Sequence, residues 1–219
     1  MAMEIVLVDK ISGQAVSVDP NSGGLIVTAR ALGYDHQYQT ICITGVIAAA
    51  LAAGSTIFAM RNSPTANPSS QMAHIQRIRL MYTTLTAFTT PVTAGRRLEL
   101  FKGSGAAASG GNAISAANKK VSSESISACD SANGGDIRIA STGALTVTGI
   151  TFEATPLDIM TLSHVGASGA YYEKIIDYTG ENDQPIELAA GELLAVRNTV
   201  QMDAGGTFQL GVMVDWYEG

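Results

Sequence analysis

The chain has 219 residues, of which 46% are hydrophobic and only 15% charged, against roughly 25% charged in an ordinary soluble domain. That balance excludes a disordered tail, which needs low hydrophobicity and high net charge, and a long helical bundle, which needs Glu, Lys and Arg on its wet faces. With 13 basic against 19 acidic residues and a net charge of −6, nucleic acid is not expected as a partner, because a phosphate backbone is held by cations. Two Cys and three His supply no disulfide framework and little for a metal site.

In chain order, period-2 alternation dominates, the signature of half-buried strands. Glu4–Val8 is a short apolar run, Gln14–Val18 alternates until Asp19-Pro20 stops it, and Asn21–Gly24 is a turn cluster. Leu25–Ala29 and Tyr38–Thr44 read as strands. Residues 41–60 carry no charge and match a membrane span in length. Yet they are rich in Ala, are interrupted by Gly45, Gly54, Ser55 and Thr56, and have no Lys/Arg cluster beside them. A strand, a turn and a second buried strand fit better, and no membrane is expected as a partner. Glu4 stands where a secretion signal needs positive charge, so none is expected.

Ile75–Leu85 alternates, with Ile75, Arg77, Arg79 and Met81 on one face and Gln76, Ile78, Leu80 and Tyr82 on the other. Leu98–Phe101, Leu145–Phe152, Tyr171–Tyr178, Leu193–Arg197 and Phe208–Trp216 are further predicted strands. In the last, Phe208, Leu210, Val212, Val214 and Trp216 share a face. Helical readings fit two places, Ile47–Ala53 as two turns and Pro156–Leu162 as one short helix. About nine strands between turn signals indicate a β-sandwich or barrel.

A weak internal echo runs through the chain. Leu51-Ala52-Ala53-Gly54 precedes Ile57–Asn62, Leu188-Ala189-Ala190-Gly191 precedes Leu193–Asn198, and Thr93-Ala94-Gly95 precedes Leu98–Leu100. Each is a glycine turn feeding a strand. Two readings stand: hairpin entries resemble one another, or the echo is the pseudo-symmetry of a double Greek-key jelly roll. Residues 103–135 differ in kind, being rich in Gly, Ala, Ser and Asn and too long for a routine connection. They read as an excursion that crosses the surface or reaches a neighbour. One domain over residues 1–219 is expected, with residues 1–24 as a candidate arm.

No constellation points to catalysis. Gly166-Ala167-Ser168-Gly169-Ala170 misses the nucleophile-elbow pattern by one position, and Ser168 with His164 and Asp158 is a sequence neighbourhood rather than a triad geometry. No H-E-x-x-H or C-x-x-C occurs, the Gly103–Ala108 run lacks the third glycine of a dinucleotide fingerprint, and Glu181, Asp183 and Glu187 lack a calcium-loop spacing. No enzyme, metal or cofactor is therefore expected. Arg77, Arg79, Arg96 and Arg97 gather positive charge on neighbouring predicted strands, and Lys119-Lys120 lies in the excursion. These six are the candidate contacts with another subunit or a protein partner, since Arg suits interface ion pairs. Whether Cys42 and Cys129 pair is left open by the sequence.

Several segments carry a resemblance. Arg79–Pro91 (RLMYTTLTAFTTP), Ala94–Leu98 (AGRRL), Gly103–Gly111 (GSGAAASGG), Ala144–Glu153 (ALTVTGITFE) and Gly206–Trp216 (GTFQLGVMVDW) resemble a pattern in virion structural proteins of tailed bacteriophages. The resemblance spans most of the chain from about Arg61 to the C-terminus and is to jelly-roll capsid decoration, or cement, proteins. It implies an all-β jelly-roll sandwich with long loop excursions and at most short helices. It also implies a homotrimer on the outer surface of the capsid, assembled in the host cytoplasm and holding the major capsid protein by non-covalent contacts. The runner-up is a tail or fibre component that binds host glycans, with Trp216, Tyr171 and Tyr172 as stacking candidates, although strand alternation points Trp216 to the core.

Overall fold

The computed structural model describes residues 37–65, 72–90, 92, 95–114, 118–119, 126–163, 167–179 and 184–219. The chain divides into two compact units, Met1–Tyr34 and Asp35–Gly219. The first lies outside the described residues, and with it the candidate arm and the predicted strands Glu4–Val8, Gln14–Val18 and Leu25–Ala29.

The second unit is all-β. Its strands in chain order are β1 (Gln37–Ile43), β2 (Ser55–Arg61), β3 (Ala73–Thr86), β4 (Arg97–Gly105), β5 (Asn112–Ala113), β6 (Asn118–Lys119) and β7 (Asp136–Ile139). They continue with β8 (Ile150–Phe152), β9 (Asp158–Thr161), β10 (Tyr171–Asp177), β11 (Ile186–Leu188), β12 (Glu192–Asn198) and β13 (Thr207–Glu218). One 3-10 turn, Ser131–Asn133, is the helical structure among the described residues.

Two antiparallel sheets pack face to face. The first runs β10-β3-β13-β1-β6, with β11 also on β3; the second runs β5-β7-β2-β12-β4-β8, with β9 also on β4. The chain alternates between them through β1, β2, β3 and β4. On its return β12 inserts between β2 and β4, and β13 between β1 and β3. That interleaving of an outgoing and a returning half is the jelly-roll winding. The strands β8 and β9 lie end to end along one side of β4, and β10 and β11 along one side of β3.

The core lies between the sheets. The β13 residues Phe208, Leu210, Val212, Val214 and Trp216 are all fully buried, as their alternation requires. Trp216 stacks on Tyr38 with ring centroids 5.7 Å apart, which removes it from any sugar-stacking role. Between Ile75 and Thr84 of β3 the alternation breaks once. The register shift opposite Asp215/Trp216 is a bulge beside Gln76, and an extra residue reverses side-chain parity. Ile75 therefore joins Ile78, Leu80 and Tyr82 in the core, while Arg77, Arg79 and Met81 face outward. This corrects the placement of Ile75.

Both helical expectations are also corrected. Residues 44–54 form turns, with Ala50 at φ 59° and Ile47 bridged to Phe208. Residues 158–161 are β9, drawn into the sheet by Leu157 N–H to Leu100 O (2.7 Å) and Leu162 N–H to Arg96 O (2.8 Å). Of the predicted strand Leu145–Phe152, only Ile150–Phe152 is continuous strand; Leu145 and Thr146 make single bridges.

The sequence echo has a structural counterpart: β2, β12 and β4 are the three adjacent strands of the second sheet. Each follows a glycine with positive φ, Gly54 (79°), Gly191 (80°) and Gly95 (74°), where a side chain is strained. The β2 and β12 copies also hold each other. Gly54 N–H donates to Asn198 O (2.7 Å), and Gly191 N–H to Asn62 O (3.1 Å). The Asn62 Nδ2 amide donates to Leu188 O (2.8 Å), and Asn198 Nδ2 donates to Ala52 O (3.0 Å) and Val200 O (3.0 Å). Each strand thus ends in a fully buried Asn that clasps the turn opening the other strand, a local two-fold between unlike parts of one chain.

The excursion is tied to the body at several points. β5 pairs with β7, β6 pairs with β1, and Ser127, Ala128, Cys129 and Asp130 are buried. The buried Glu218 carboxylate accepts from Ala128 N–H (2.9 Å), Trp216 Nε1 (3.0 Å) and the Ser127 hydroxyl. Removing the buried amide of Asn62 or Asn198 leaves the carbonyls it bonds unsatisfied, at about 1–3 kcal/mol. Asn62→Ala and Asn198→Ala are each expected to lower unfolding free energy by about that amount. A double variant is expected to lose less than the sum, since the two clasps share one strand pair. Urea denaturation checks both; single variants as stable as the parent contradict the clasp.

Candidate interaction surface

The two outer faces of the sandwich differ. On the second sheet the outward positions of the central strands are covered by the chain itself. Ala59, Leu193, Ala195 and Phe101 are all buried there, and Arg61, Arg138 and Arg197 share that face. Arg61 Nε donates to Gly105 O (2.8 Å), Arg138 Nη1 to Gly110 O (3.2 Å) and Arg197 Nη2 to Gly54 O (2.8 Å). The Arg197 guanidinium also lies 4.0 Å from the Phe152 ring centroid. Long Arg stems roof small residues in this way.

On the first sheet the outer face is open. The register aligns Ile41, Met213, Arg79 and Ile175 in one row across β1, β13, β3 and β10, and Ile43, Gly211, Met81 and Glu173 in the next. Ile41, Ile43 and Ile175 are 53%, 61% and 56% exposed. Ile41, Ile43, Met213 and Met81 therefore neighbour one another on this face, with Ile175 beyond Arg79, Glu173 beside Met81, and Gln39 with Asp215 (2.8 Å) alongside. Scattered exposed apolar side chains are ordinary, but a contiguous patch marks a contact.

The six candidate cations separate. Arg77 and Arg79 stand on this outer face, where Arg77 meets Asp177 (2.6 Å) and Arg79 meets Glu173. Arg97 is on the other sheet, paired with the buried Glu99 (2.8 Å). Arg96 is a correction: it is 1% exposed and lies 4.0 Å over the Phe88 ring, donating to Ser163 O. A buried guanidinium stacked on an aromatic is core structure, not a contact cation. The four arginines accordingly make no single patch. Lys119 is in β6, which pairs with β1, and Lys120 lies outside the described residues. Sequence reasoning missed the apolar strip, whose signal is the odd-numbered register of β1 and β10.

The acidic members of the strip's border are held in the charged form. The Arg79 hydrogen bond lowers Glu173, and bonds from the Thr179 hydroxyl and N–H, then Arg77, lower Asp177. Asp203, away from this face, is lowered by Gly205 N–H (2.9 Å) and Thr90 N–H (2.8 Å), joining two loops.

The other sequence candidates do not assemble into a site. Asp158 is engaged by Lys174, Ser168 donates to Leu85 O (2.7 Å), and His164 lies outside the described residues. Glu187 lies 3.5 Å from His74, while Glu181 and Asp183 are outside the described residues. Among the described residues no group of three or more His, Cys, Asp or Glu is placed to hold a metal, and no helix is long and apolar enough to cross a membrane. Cys42 and Cys129 are both buried free thiols.

No protein-family model matches this chain, and no curated protein matches it.

Two measurements follow from these environments. Burial pushes the Cys42 thiol up to about 12 and also raises the Cys129 thiol well above its usual range. A thiolate-specific reagent is therefore expected to label neither in the native protein at pH 8 and both in denaturant; fast native labelling contradicts the burial. Asp203 has a depressed pKa, so its stabilisation is present above the ordinary Asp value and lost as pH falls through the folded value. Asp203→Asn is expected to melt below the parent at pH 7, the gap closing below about pH 3.9.

Proposed function

We propose that this chain is a virion structural protein of a tailed bacteriophage, a capsid decoration protein that stabilises the head shell through non-covalent contacts with the major capsid protein. The observation that carries the reading is the asymmetry of the sandwich. On one outer face the central strands are covered by the chain's own arginines, and the other presents Ile41, Ile43, Met81, Met213 and Ile175, with Arg77 and Arg79 there paired to Asp177 and Glu173. The jelly-roll winding and the sequence resemblance support it. A decoration protein needs a rigid body and a flat, low-charge contact, because pre-paired charges reduce the desolvation penalty of docking.

Magnitudes set the mode of action. An apolar patch of roughly 300–600 Å² contributes about 7–15 kcal/mol gross at about 25 cal/mol per Å². Association costs about 4–15 kcal/mol. A single copy therefore holds weakly, and firm clamping comes from several linked copies bridging capsomers, where the second contact is intramolecular. Bound copies stabilise the closed shell by mass action.

Co-sedimentation with head shells lacking this protein tests the reading. The parent chain is expected to bind saturably and raise the temperature at which shells rupture. An Ile41→Asp/Ile43→Asp variant is expected to melt like the parent and bind at least tenfold more weakly. Full binding by that variant, or no binding by the parent, refutes the proposal.

A further inference from the structure

One charged group lies in the interior with no carboxylate to meet it. Arg96 stands at the entry of β4, fully buried, with its guanidinium 4.0 Å over the Phe88 ring and Nη2 donating to Ser163 O. Burying a guanidinium is costly unless it is paired and hydrogen-bonded, and a stacked ring offsets only part of that cost. Asp203 feels the Arg96 charge, but its carboxylate oxygens accept from the N–H groups of Gly205 and Thr90. Among the described residues no carboxylate forms an ion pair with Arg96. The chain beside the site, residues 91–94 and 163–166, contains no Asp or Glu.

Two hydroxyl groups accompany the same cation. Tyr82 and Thr84 are successive core-facing residues of β3, both fully buried. The Tyr82 ring stacks on Phe208 at 4.8 Å, Phe208 lies 6.4 Å from Phe88, and Phe88 carries Arg96. One aromatic row thus leads from the phenol to the guanidinium. Burial raises the Tyr82 phenol, and Arg96 and Thr84 are the neighbours that pull it back down. Yet the Tyr82 hydroxyl, the Thr84 hydroxyl and Arg96 Nε have no hydrogen-bond partner among the described residues. Buried polar atoms are satisfied as a rule. Here Tyr82 senses both of the others without a direct hydrogen bond closing between them.

We propose that Arg96 Nε, the Tyr82 hydroxyl and the Thr84 hydroxyl bind a monovalent anion of halide size inside the sandwich. The donors select the class. Arg96 Nε can only donate, and both hydroxyls can turn to donate, so all three suit a single acceptor. A negative ion also balances the buried guanidinium, which a water molecule does not. Packing selects the size. A Cβ at Gly206 would fall 2.1 Å from Phe88, and so close a wall favours one spherical ion over a tetrahedral oxyanion. The ion staples the two sheets, because Tyr82 and Thr84 belong to β3 and Arg96 leads into β4. The site lies in the core rather than on an outer face, and it does not depend on the shell reading.

Melting of the intact chain tests it, after dialysis into sodium gluconate and with sodium chloride added at constant ionic strength. A ligand of the native state raises the melting temperature with its concentration. Chloride and bromide are expected to do so at a common site, and sulfate is not. Tyr82→Phe keeps the ring and removes the hydroxyl, and Thr84→Val keeps the shape and removes the other. Each is expected to weaken the chloride response at least tenfold. Chloride carried through dialysis is read by ion chromatography of the denatured protein, where stoichiometric release supports the site. Should neither variant fold, anomalous scattering from parent crystals grown in bromide locates the ion, with a peak expected beside Arg96 Nε. A parent whose melting ignores chloride and which releases none on denaturation, the result for a bridging water, overturns the proposal. So does a folded Tyr82→Phe variant that responds like the parent, or bromide peaks only elsewhere.

Discussion

The reciprocal clasp between Asn62 and Asn198 is the constraint from which the rest of the sandwich follows. A jelly roll interleaves a returning half of the chain into an outgoing half, and nothing in a run of small apolar residues specifies where the two must meet. Here a buried amide at the end of β2 closes on the turn that opens β12, and its counterpart closes on the turn that opens β2. A one-residue slip of β12 would turn its core side chains outward and also strand both amides in an apolar interior. The clasp therefore specifies register in the second sheet, and β13, which follows β12 directly in the chain, is delivered between β1 and β3.

That constraint also produces the asymmetry on which the functional reading rests. In the second sheet both faces are used: one packs the core, and on the other Arg61, Arg138 and Arg197 cover the central strands, each donating to a backbone carbonyl and Arg138 also to Asp136. In the first sheet only the inner face is used. Its outer ion pairs, Arg77 with Asp177 and Arg79 with Glu173, tie β10 to β3 beside the exposed Ile41, Ile43 and Ile175. On that face the charges are already paired among the described residues, so covering it would carry little desolvation cost.

Much of the fold was legible in the residues. β13 was readable because a central strand with one core face alternates without exception, and the glycine-turn echo marked the three central strands of the second sheet. What escaped has identifiable causes. The bulge at Gln76 depends on a partner strand more than a hundred residues away, so the sequence of β3 alone misplaces Ile75. β7 was missed because Asp136 and Arg138 occupy its outward positions and pair with each other (2.8 Å), hiding a buried strand behind two charges. β9 read as a helix because four residues are too few to show a period. Arg96 and Arg97 look equivalent in sequence, yet parity sends one into the core over Phe88 and the other to Glu99. The apolar strip lay unread because its members come from four strands that only the topology sets side by side.

The central claim, that this sandwich docks on a head shell through its first sheet, is tested most directly by an electron-microscopic reconstruction of the intact virion. The account predicts sandwich-shaped density on the outer surface of the capsid, with Ile41, Ile43 and Met213 turned toward the major capsid protein. Density for this chain on the tail alone, or a shell contact made through the arginine-roofed face, would contradict it.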